Sequence, residues 1–373
     1  MAIYPHYLAS MVPEKSKRLY YPALDGLRGI GCLLVVIYHN FWFFHKYLFF
    51  GWVAMDIFFV LSGFLITDIL VKSFGKENYL KNFYIRRILR VFPLYYTALF
   101  LFIVILPRVP SFPIPLDQYV HNQIWYWTFL QNWVIIFKGL GDQTALMHLW
   151  SMAVEEQFYL LWPLVFAFIK KPKYLIIFLS ALLISLIIFR FWLWMKQVPG
   201  LSYFNFFNFT RIDGICIGCI VALLQNTNSK LIRNYTFIPV FSLAIYNFLF
   251  YFLNLYYKDY FPYLGLIGFT TFATLLGILV YSIINQTPPI LSKVFDISLL
   301  KFIGRISYGT YIFHWPIYLF IKNSSEGWAH AHIPGIYSDL SISVLSTILA
   351  YVTGYLSYRY FESYFLRLKN KFI

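Results

Sequence analysis

The sequence predicts an all-α integral membrane protein, a bundle of about ten transmembrane helices with both termini in the cytoplasm. Three observations carry this expectation. Of the 373 residues, 60% are hydrophobic and only 12% charged, with 41 Phe, 32 Tyr and 11 Trp, and the mean hydropathy is +0.65. A water-soluble domain cannot hide that much apolar surface. Apolar runs of the roughly 20 residues needed to cross a hydrocarbon core recur from Gly29 to Tyr358, leaving short loops between them. The basic residues gather in alternate loops, which is the positive-inside pattern of a polytopic chain.

In chain order the spans are expected near 27–44, 50–70, 92–106, 148–169, 174–195, 210–225, 236–256, 263–284, 305–322 and 339–358. Lys15, Lys17 and Arg18 precede the first, and Lys72, Lys76, Lys81, Arg86, Arg87 and Arg90 follow the second. Lys170, Lys171 and Lys173, then Lys230 and Arg233, then Lys293, Lys301 and Arg305, then Arg359, Arg367, Lys369 and Lys371 mark the later alternate loops. The intervening loops hold about one cation each: Arg108, Lys196, Lys258 and Lys322. The Trp-containing stretch 124–137 is read as interfacial or re-entrant, because a full crossing there would put the Lys170–Lys173 cluster outside. The expected organisation is a cytoplasmic segment over 1–20, one transmembrane domain over 21–358 and a basic cytoplasmic tail over 359–373.

A net charge of +15 can signal nucleic acid, but these cations are scattered among short loops with no soluble fold to present them, so no nucleic-acid partner is expected. The first twenty residues lack a compact apolar core and a small-residue cleavage site, so the first span is expected to stay in the mature protein. Cys216 and Cys219 form a C-x-x-C beside Gly214 and Gly218. The G-x-x-x-G spacing points to close helix packing rather than redox chemistry. There is no Walker loop, no H-E-x-x-H, no G-x-S-x-G and no dense His/Cys set, so ATP hydrolysis, a bound metal and α/β-hydrolase chemistry are unsupported.

Four stretches carry polar chemistry into apolar surroundings. "LDGLRGIGCLLVVIYHN" at 24–40 holds Asp25, Arg28 and His39. A charge inside a bilayer costs roughly 2.5–3.5 kcal/mol on insertion scales, so such residues normally face a bundle interior. Arg28 and His39 are eleven residues apart, three helical turns plus about 20°, which sets them on one face about 16 Å apart. "YIRRILR" at 84–90 makes Arg86 with Arg90, and Arg87 with Arg90, neighbours about one helical turn apart. Guanidinium forks suit phosphate oxygens, although positive-inside topology accounts for the same residues. "HLWSMAVEEQFYLLWPL" at 148–164 sets Glu155 and Glu156 one to two turns beyond His148 and Ser151. At least one carboxylate must point inward, for proton traffic or for pairing with an Arg or His. "TRIDG" at 210–214 and "GRISYGTYIFHWPIY" at 304–318 add Arg211, Asp213, Tyr308, Tyr311 and His314, as packing anchors or as members of a site.

Taken together these stretches resemble the membrane-bound acyltransferase 3 family over nearly the whole chain. Its opening motif, a basic residue with ten residues before a histidine, appears as Arg28 and His39. "DIFFVLSGFLIT" at 56–67 is similar to the family's S-G-F-L element, Ser62 to Leu65. Arg87 and Arg90 match its R-x-x-R, and "HLWSMAVEEQFYLLWP" its W-S-x-x-V-E-x-Q-F-Y stretch, with Glu155 rather than Glu156 at the family position. "RIDGICIG" and "ISYGTYIFHWPI" resemble later elements.

The resemblance implies transfer of an acyl group, usually acetyl, from cytoplasmic acyl-CoA to a hydroxyl of an extracytoplasmic or lipid-linked glycan. On that reading Arg28, Arg86, Arg87 and Arg90 hold the phosphates of acetyl-CoA. His39 acts as general base or carries the acyl group transiently, and Glu155 is the second catalytic residue. Asp25, Ser62, His148, Ser151, Arg211, Asp213, Tyr308 and His314 are further motif positions. Many members carry an SGNH hydrolase-like domain after the membrane unit. This sequence reaches Ile373 without one, so acceptor choice is expected to lie in its loops or in another protein. The expected function is an O-acetyltransferase of the bacterial cytoplasmic membrane, acting on lipopolysaccharide O-antigen. Capsule or exopolysaccharide as acceptor and succinyl as donor group are the nearest alternatives. A proton-coupled transporter using His39, Glu155 and Asp213 as a relay is the alternative of a different class, but inverted repeats and paired broken helices are not evident.

Overall fold

Backbone amides in hydrocarbon have no water to bond, and a chain this apolar satisfies them by coiling. The computed structural model describes residues 21–44, 51, 53–138, 144–197, 208–226, 242, 244–249, 263–285 and 289–372, and no strand occurs among them. The elements are α1 (Pro22–Asn40), α2 (Ala54–Ser73) and α3 (Tyr79–Leu99), which runs on through a π-helical stretch (Phe100–Ile105) and a 3-10 turn (Leu106–Arg108). Three short helices follow, α4 (Asp117–His121), α5 (Gln123–Trp127) and α6 (Gln131–Lys138). A 3-10 turn (Met147–Leu149) leads into α7 (Trp150–Ile169), then come α8 (Pro172–Met195), α9 (Asn208–Arg211) and α10 (Asp213–Asn226). The rest comprises a π-helical stretch (Leu264–Gly268), α11 (Phe269–Asn285), α12 (Pro289–Phe295), α13 (Ser298–His332), α14 (Ile336–Leu356), another π-helical stretch (Ser357–Glu362), α15 (Ser363–Leu368) and a 3-10 turn (Lys369–Lys371).

Seven helical stretches among the described residues are long and apolar enough to cross a membrane, which makes this a multi-pass membrane protein. They are Pro22–Asn40, Ala54–Ser73, Tyr79–Arg108, Met147–Ile169, Pro172–Met195, Gly265–Asn285 and Ile336–Leu368. The difference from ten has three sources. Helix α10 has 14 residues, short of the roughly 20 that span a bilayer. The crossing expected at 305–322 lies inside the 35-residue α13, which is interrupted by Lys301, Arg305, Lys322 and Glu326. The crossing expected near 236–256, with Lys230 and Arg233 before it and Lys258 after it, falls largely or wholly outside the described residues, as does the 1–20 segment with Lys15, Lys17 and Arg18. The stretch 124–137 makes no crossing, since α5 and α6 have five and eight residues.

The chain forms two compact units that interleave along the sequence. The first comprises Met1–Leu27, Met55–Tyr79 and Val154–Lys301. Here the small-residue spacing does what the sequence predicts: a Cβ on Gly218 of α10 would strike the carbonyl oxygen of Val60 on α2, and one on Gly63 of α2 would strike that of Ile215. Only glycine allows these two backbones to lie so close. Cys216 and Cys219 are buried free thiols on α10, and Cys219 Sγ donates to the Gly63 carbonyl of α2 at 3.5 Å. Trp162 Nε1 donates to Thr67 Oγ1 at 2.9 Å, joining α7 to α2.

The second unit comprises Arg28–Ala54, Leu80–Ala153 and Phe302–Ile373. Helix α1 is tied at its C-terminal end to α14: Ser343 Oγ donates to the Asn40 carbonyl at 2.6 Å, and Asn40 Nδ2 donates to Thr347 Oγ1 at 3.0 Å. A terminal carbonyl that would otherwise lack a partner is thereby satisfied. Tyr308 Oη donates to the Val91 carbonyl at 2.7 Å, so this motif tyrosine joins α13 to α3.

Candidate functional site

The second unit gathers three histidines far apart in sequence. His39 stands one residue from the C-terminal end of α1, His148 lies in the 3-10 turn that opens α7, and His314 lies mid-way along α13. His314 Nε2 and His39 Nδ1 are 3.0 Å apart. The His148 and His314 rings meet edge to face with centroids 5.1 Å apart. His314 is fully buried and His148 is 4% exposed, whereas His39 is half-buried. Of the three imidazoles, His39 is the most exposed.

Several contacts fix this arrangement. His314 Nδ1 bonds the Tyr311 carbonyl at 2.7 Å and His148 Nε2 the Ile312 carbonyl at 3.1 Å, and since a carbonyl only accepts, both ring nitrogens carry a proton. Tyr311 Oη donates to the His148 carbonyl, which leaves Ser151 Oγ to donate to Tyr311 Oη at 2.7 Å. Gln131 Nε2 holds the Leu149 carbonyl at 2.7 Å, and Trp315 Nε1 holds that of Thr144 at 2.9 Å. The His39 and Trp315 rings lie 5.5 Å apart. His148, Ser151 and His314, read from sequence only as motif positions, thus stand with His39 in one hydrogen-bonded group. Among the described residues, no three His, Cys, Asp or Glu side chains are arranged to hold a metal ion.

A basic cluster forms elsewhere in the same unit. Arg86, Arg87 and Arg90 share α3, and Arg28 lies on α1. Lys369, one residue past the last apolar span, completes the group: burial and the charges of Arg90, Arg86, Arg87 and Arg28 push its ammonium down to about 8 from the ordinary lysine value. Glu362, on the π-helical stretch before α15, also feels the charge of Arg90, so the group includes a carboxylate as well as cations. Lys369 appeared in the sequence only as a topology marker. Helix α1 is continuous from Pro22 to Asn40, so Arg28 and His39 share a face as their spacing predicts.

In the first unit Arg211 and Asp213 belong to a buried charge quartet. Arg211 Nη1 lies 3.2 Å from Asp56 Oδ1, and Arg190 Nη2 lies 2.9 Å from Asp213 Oδ2, with all four side chains fully buried. Arg190 also donates through Nε to the Thr210 carbonyl at 3.0 Å and through Nη1 to Thr270 Oγ1 at 2.9 Å. Thr270 Oγ1 in turn donates to Asp213 Oδ2 at 2.9 Å. The Arg211 guanidinium stacks on Phe269 at 3.7 Å. Sequence reasoning passed over Asp56, Arg190 and Thr270, although a lone arginine inside the apolar 24-residue α8 was a signal in plain view.

Glu155 accepts a hydrogen bond from Tyr159 Oη at 2.9 Å and, like Glu156, is half-buried on α7. Ser62 is half-buried on α2, and Asp25 half-buried near the start of α1.

Comparison with known proteins adds three findings. Residues 21–357 match the family model described as an acyltransferase domain. The chain is 32% identical over 370 residues to the peptidoglycan O-acetyltransferase OatA of Listeria monocytogenes, covering 93% of this chain and 56% of that protein. It is 29% identical over 363 residues to the O-acetyltransferase OatA of Staphylococcus aureus, covering 92% of this chain and 57% of that protein. The chain therefore spans a little over half the length of these curated relatives. No solved structure matches it.

Proposed function

Because the chain belongs to the acyltransferase domain family that it matches over residues 21–357, we propose that it is a membrane O-acetyltransferase moving an acetyl group from cytoplasmic acetyl-CoA to a glycan hydroxyl. The observation that carries this reading is the facing of two features along α1. A half-buried imidazole, His39, is backed by the buried His314, and about 16 Å along the same helix face Arg28 joins a cluster of cations. Arg28, Arg86, Arg87, Arg90 and Lys369 hold the cosubstrate phosphates, and the pantetheine arm runs along α1 to bring its thioester to His39. His39 takes the proton of the acceptor hydroxyl as the oxygen attacks the thioester carbonyl carbon. The carbon–sulfur bond then breaks, and the departing thiolate takes that proton back from the imidazolium. Glu155 is the second catalytic residue implied by the family motif, assigned to proton traffic. Both termini lie in the cytoplasm and the membrane is the bacterial cytoplasmic membrane.

The acceptor is a hydroxyl of cell-wall peptidoglycan, the glycan named for the Listeria relative, in preference to the O-antigen expected from the sequence. O-acetyl content, measured by NMR separately on peptidoglycan and on surface polysaccharide from a deletion strain with and without the gene restored, tests this. Acetyl groups lost and restored on peptidoglycan support the reading. Loss confined to surface polysaccharide returns the acceptor to the O-antigen or capsule class, and no loss on any glycan overturns the transfer.

Lys369 makes the anion site sensitive to pH. Its ammonium is favoured below about pH 8 and lost above it, and a bound phosphate favours the charged form. Binding therefore draws in a proton near that pH and weakens as pH rises through it, by roughly tenfold for one charged hydrogen bond. By the same linkage the ligand-free protein gains stability between about pH 8 and the ordinary lysine value, where only the unfolded chain keeps the proton. Calorimetric titration of acetyl-CoA into the protein in nanodiscs at pH 7.5 and 9 should show the weakening, and Lys369→Gln should flatten it. An unchanged slope in Lys369→Gln removes Lys369 from the site.

A further inference from the structure

We propose that His314 is a positioning residue that fixes the tautomer of His39, holding the proton on Nδ1 so that Nε2 is the basic nitrogen. The inference rests on the reading of His39 as the proton acceptor in acyl transfer. His314 Nδ1–H donates to the Tyr311 carbonyl at 2.7 Å, so a neutral His314 presents a lone pair at Nε2. That lone pair faces His39 Nδ1 at 3.0 Å, and two lone pairs cannot meet at that distance without a proton between them. With both rings neutral, His39 Nδ1 is therefore the donor and its Nε2 keeps the lone pair. Free imidazole side chains favour the opposite tautomer only slightly, so one buried acceptor is enough to set the choice.

Access separates the two roles. His314 is fully buried, its ring flanked by those of His148 and Tyr311 with centroids at 5.1 and 5.6 Å, whereas His39 is half-buried at the end of α1. A fully buried ring cannot reach a glycan hydroxyl, but it can orient the ring that does. The helix end carrying His39 is also pinned through Asn40 to Ser343 and Thr347, so the His39–His314 bond has a fixed frame on both sides. When His39 takes up a proton, its Nδ1–H bond to His314 becomes charge-assisted and stronger, which supports the developing cation during the transfer.

The test uses the full chain, 15N-histidine-labelled, in nanodiscs. Solid-state NMR reads which ring nitrogen of His39 is protonated, with His39→Ala assigning the signals. The expected result is a proton on Nδ1 in the wild type. His314→Gln, whose carboxamide oxygen stands near the lost Nε2 and still accepts, should keep it there. His314→Leu should move the proton to Nε2 and lower kcat about 100-fold, with the KM for acetyl-CoA altered less than about twofold. A His39 protonated at Nε2 in the wild type overturns the proposal, as does a His314→Leu variant that keeps both tautomer and kcat. If His314→Leu fails to fold, the wild-type and His314→Gln spectra decide alone. The tautomer is read without turnover, so loss of the acyltransfer reading and loss of the positioning role are told apart.

Discussion

Replacing His39 with alanine is expected to lower kcat for acetyl transfer about a thousandfold, within the range by which a positioned general base accelerates a proton transfer. Alanine is the best helix former and His39 lies on a continuous helix, so α1 should survive the change. The local cost is the buried Nε2 of His314, left without its donor, at about 1–3 kcal/mol. Affinity for acetyl-CoA should be nearly unchanged, because the cations assigned to its phosphates lie about three turns away along α1 or on other elements. Single-turnover transfer of radiolabelled acetyl to glycan, with membrane levels matched, reads kcat apart from binding. An alanine variant that transfers at the wild-type rate would make His39 a packing residue and end the proposed chemistry.

The second large effect concerns stability. Arg190→Leu should destabilise the protein by about 3–5 kcal/mol, because it strands the fully buried carboxylate of Asp213 with only Thr270 from its former set of donors. Removing both charges together, Arg190→Leu with Asp213→Leu, should cost less than the two single changes added, since the double variant leaves no unmatched charge from that pair. Asp56 and Arg211 form a second pair in the same quartet, so the four changes are not expected to be additive. Thermal unfolding in detergent, followed by intrinsic fluorescence, measures all of these. Single variants within about 0.5 kcal/mol of the wild type would show that the quartet contributes nothing to the fold.

Much of this molecule is written in short-range pattern. The apolar runs gave the helices, and among the described residues the crossings fall short of the expected ten where a run and a crossing part company, in α10 and α13. Helix α13 continues past its apolar stretch because Asn323, Ser324, Ser325 and Glu326 still propagate a helix although they do not suit lipid. Gly214 and Gly218 announced a close helix seam, and the structure adds Gly63 of α2 as its opposite side. Arg28 and His39 could be set on one face because eleven residues of helix have one geometry whatever surrounds them.

By itself, then, the sequence determined the helical, membrane-crossing class, the family and the residues worth watching, because hydropathy and helical phase are local quantities. Which side chains meet was decided by tertiary structure alone. His39 and His314 are 275 positions apart, and Asp56 and Arg211 are brought together from separate helices, as are Arg190 and Asp213. Lys369 looked like any tail lysine until the fold brought it within the field of four arginines. A hydrogen bond or an ion pair depends on ångström-scale distances between helices, and that information arises only when side chains from distant segments pack against one another.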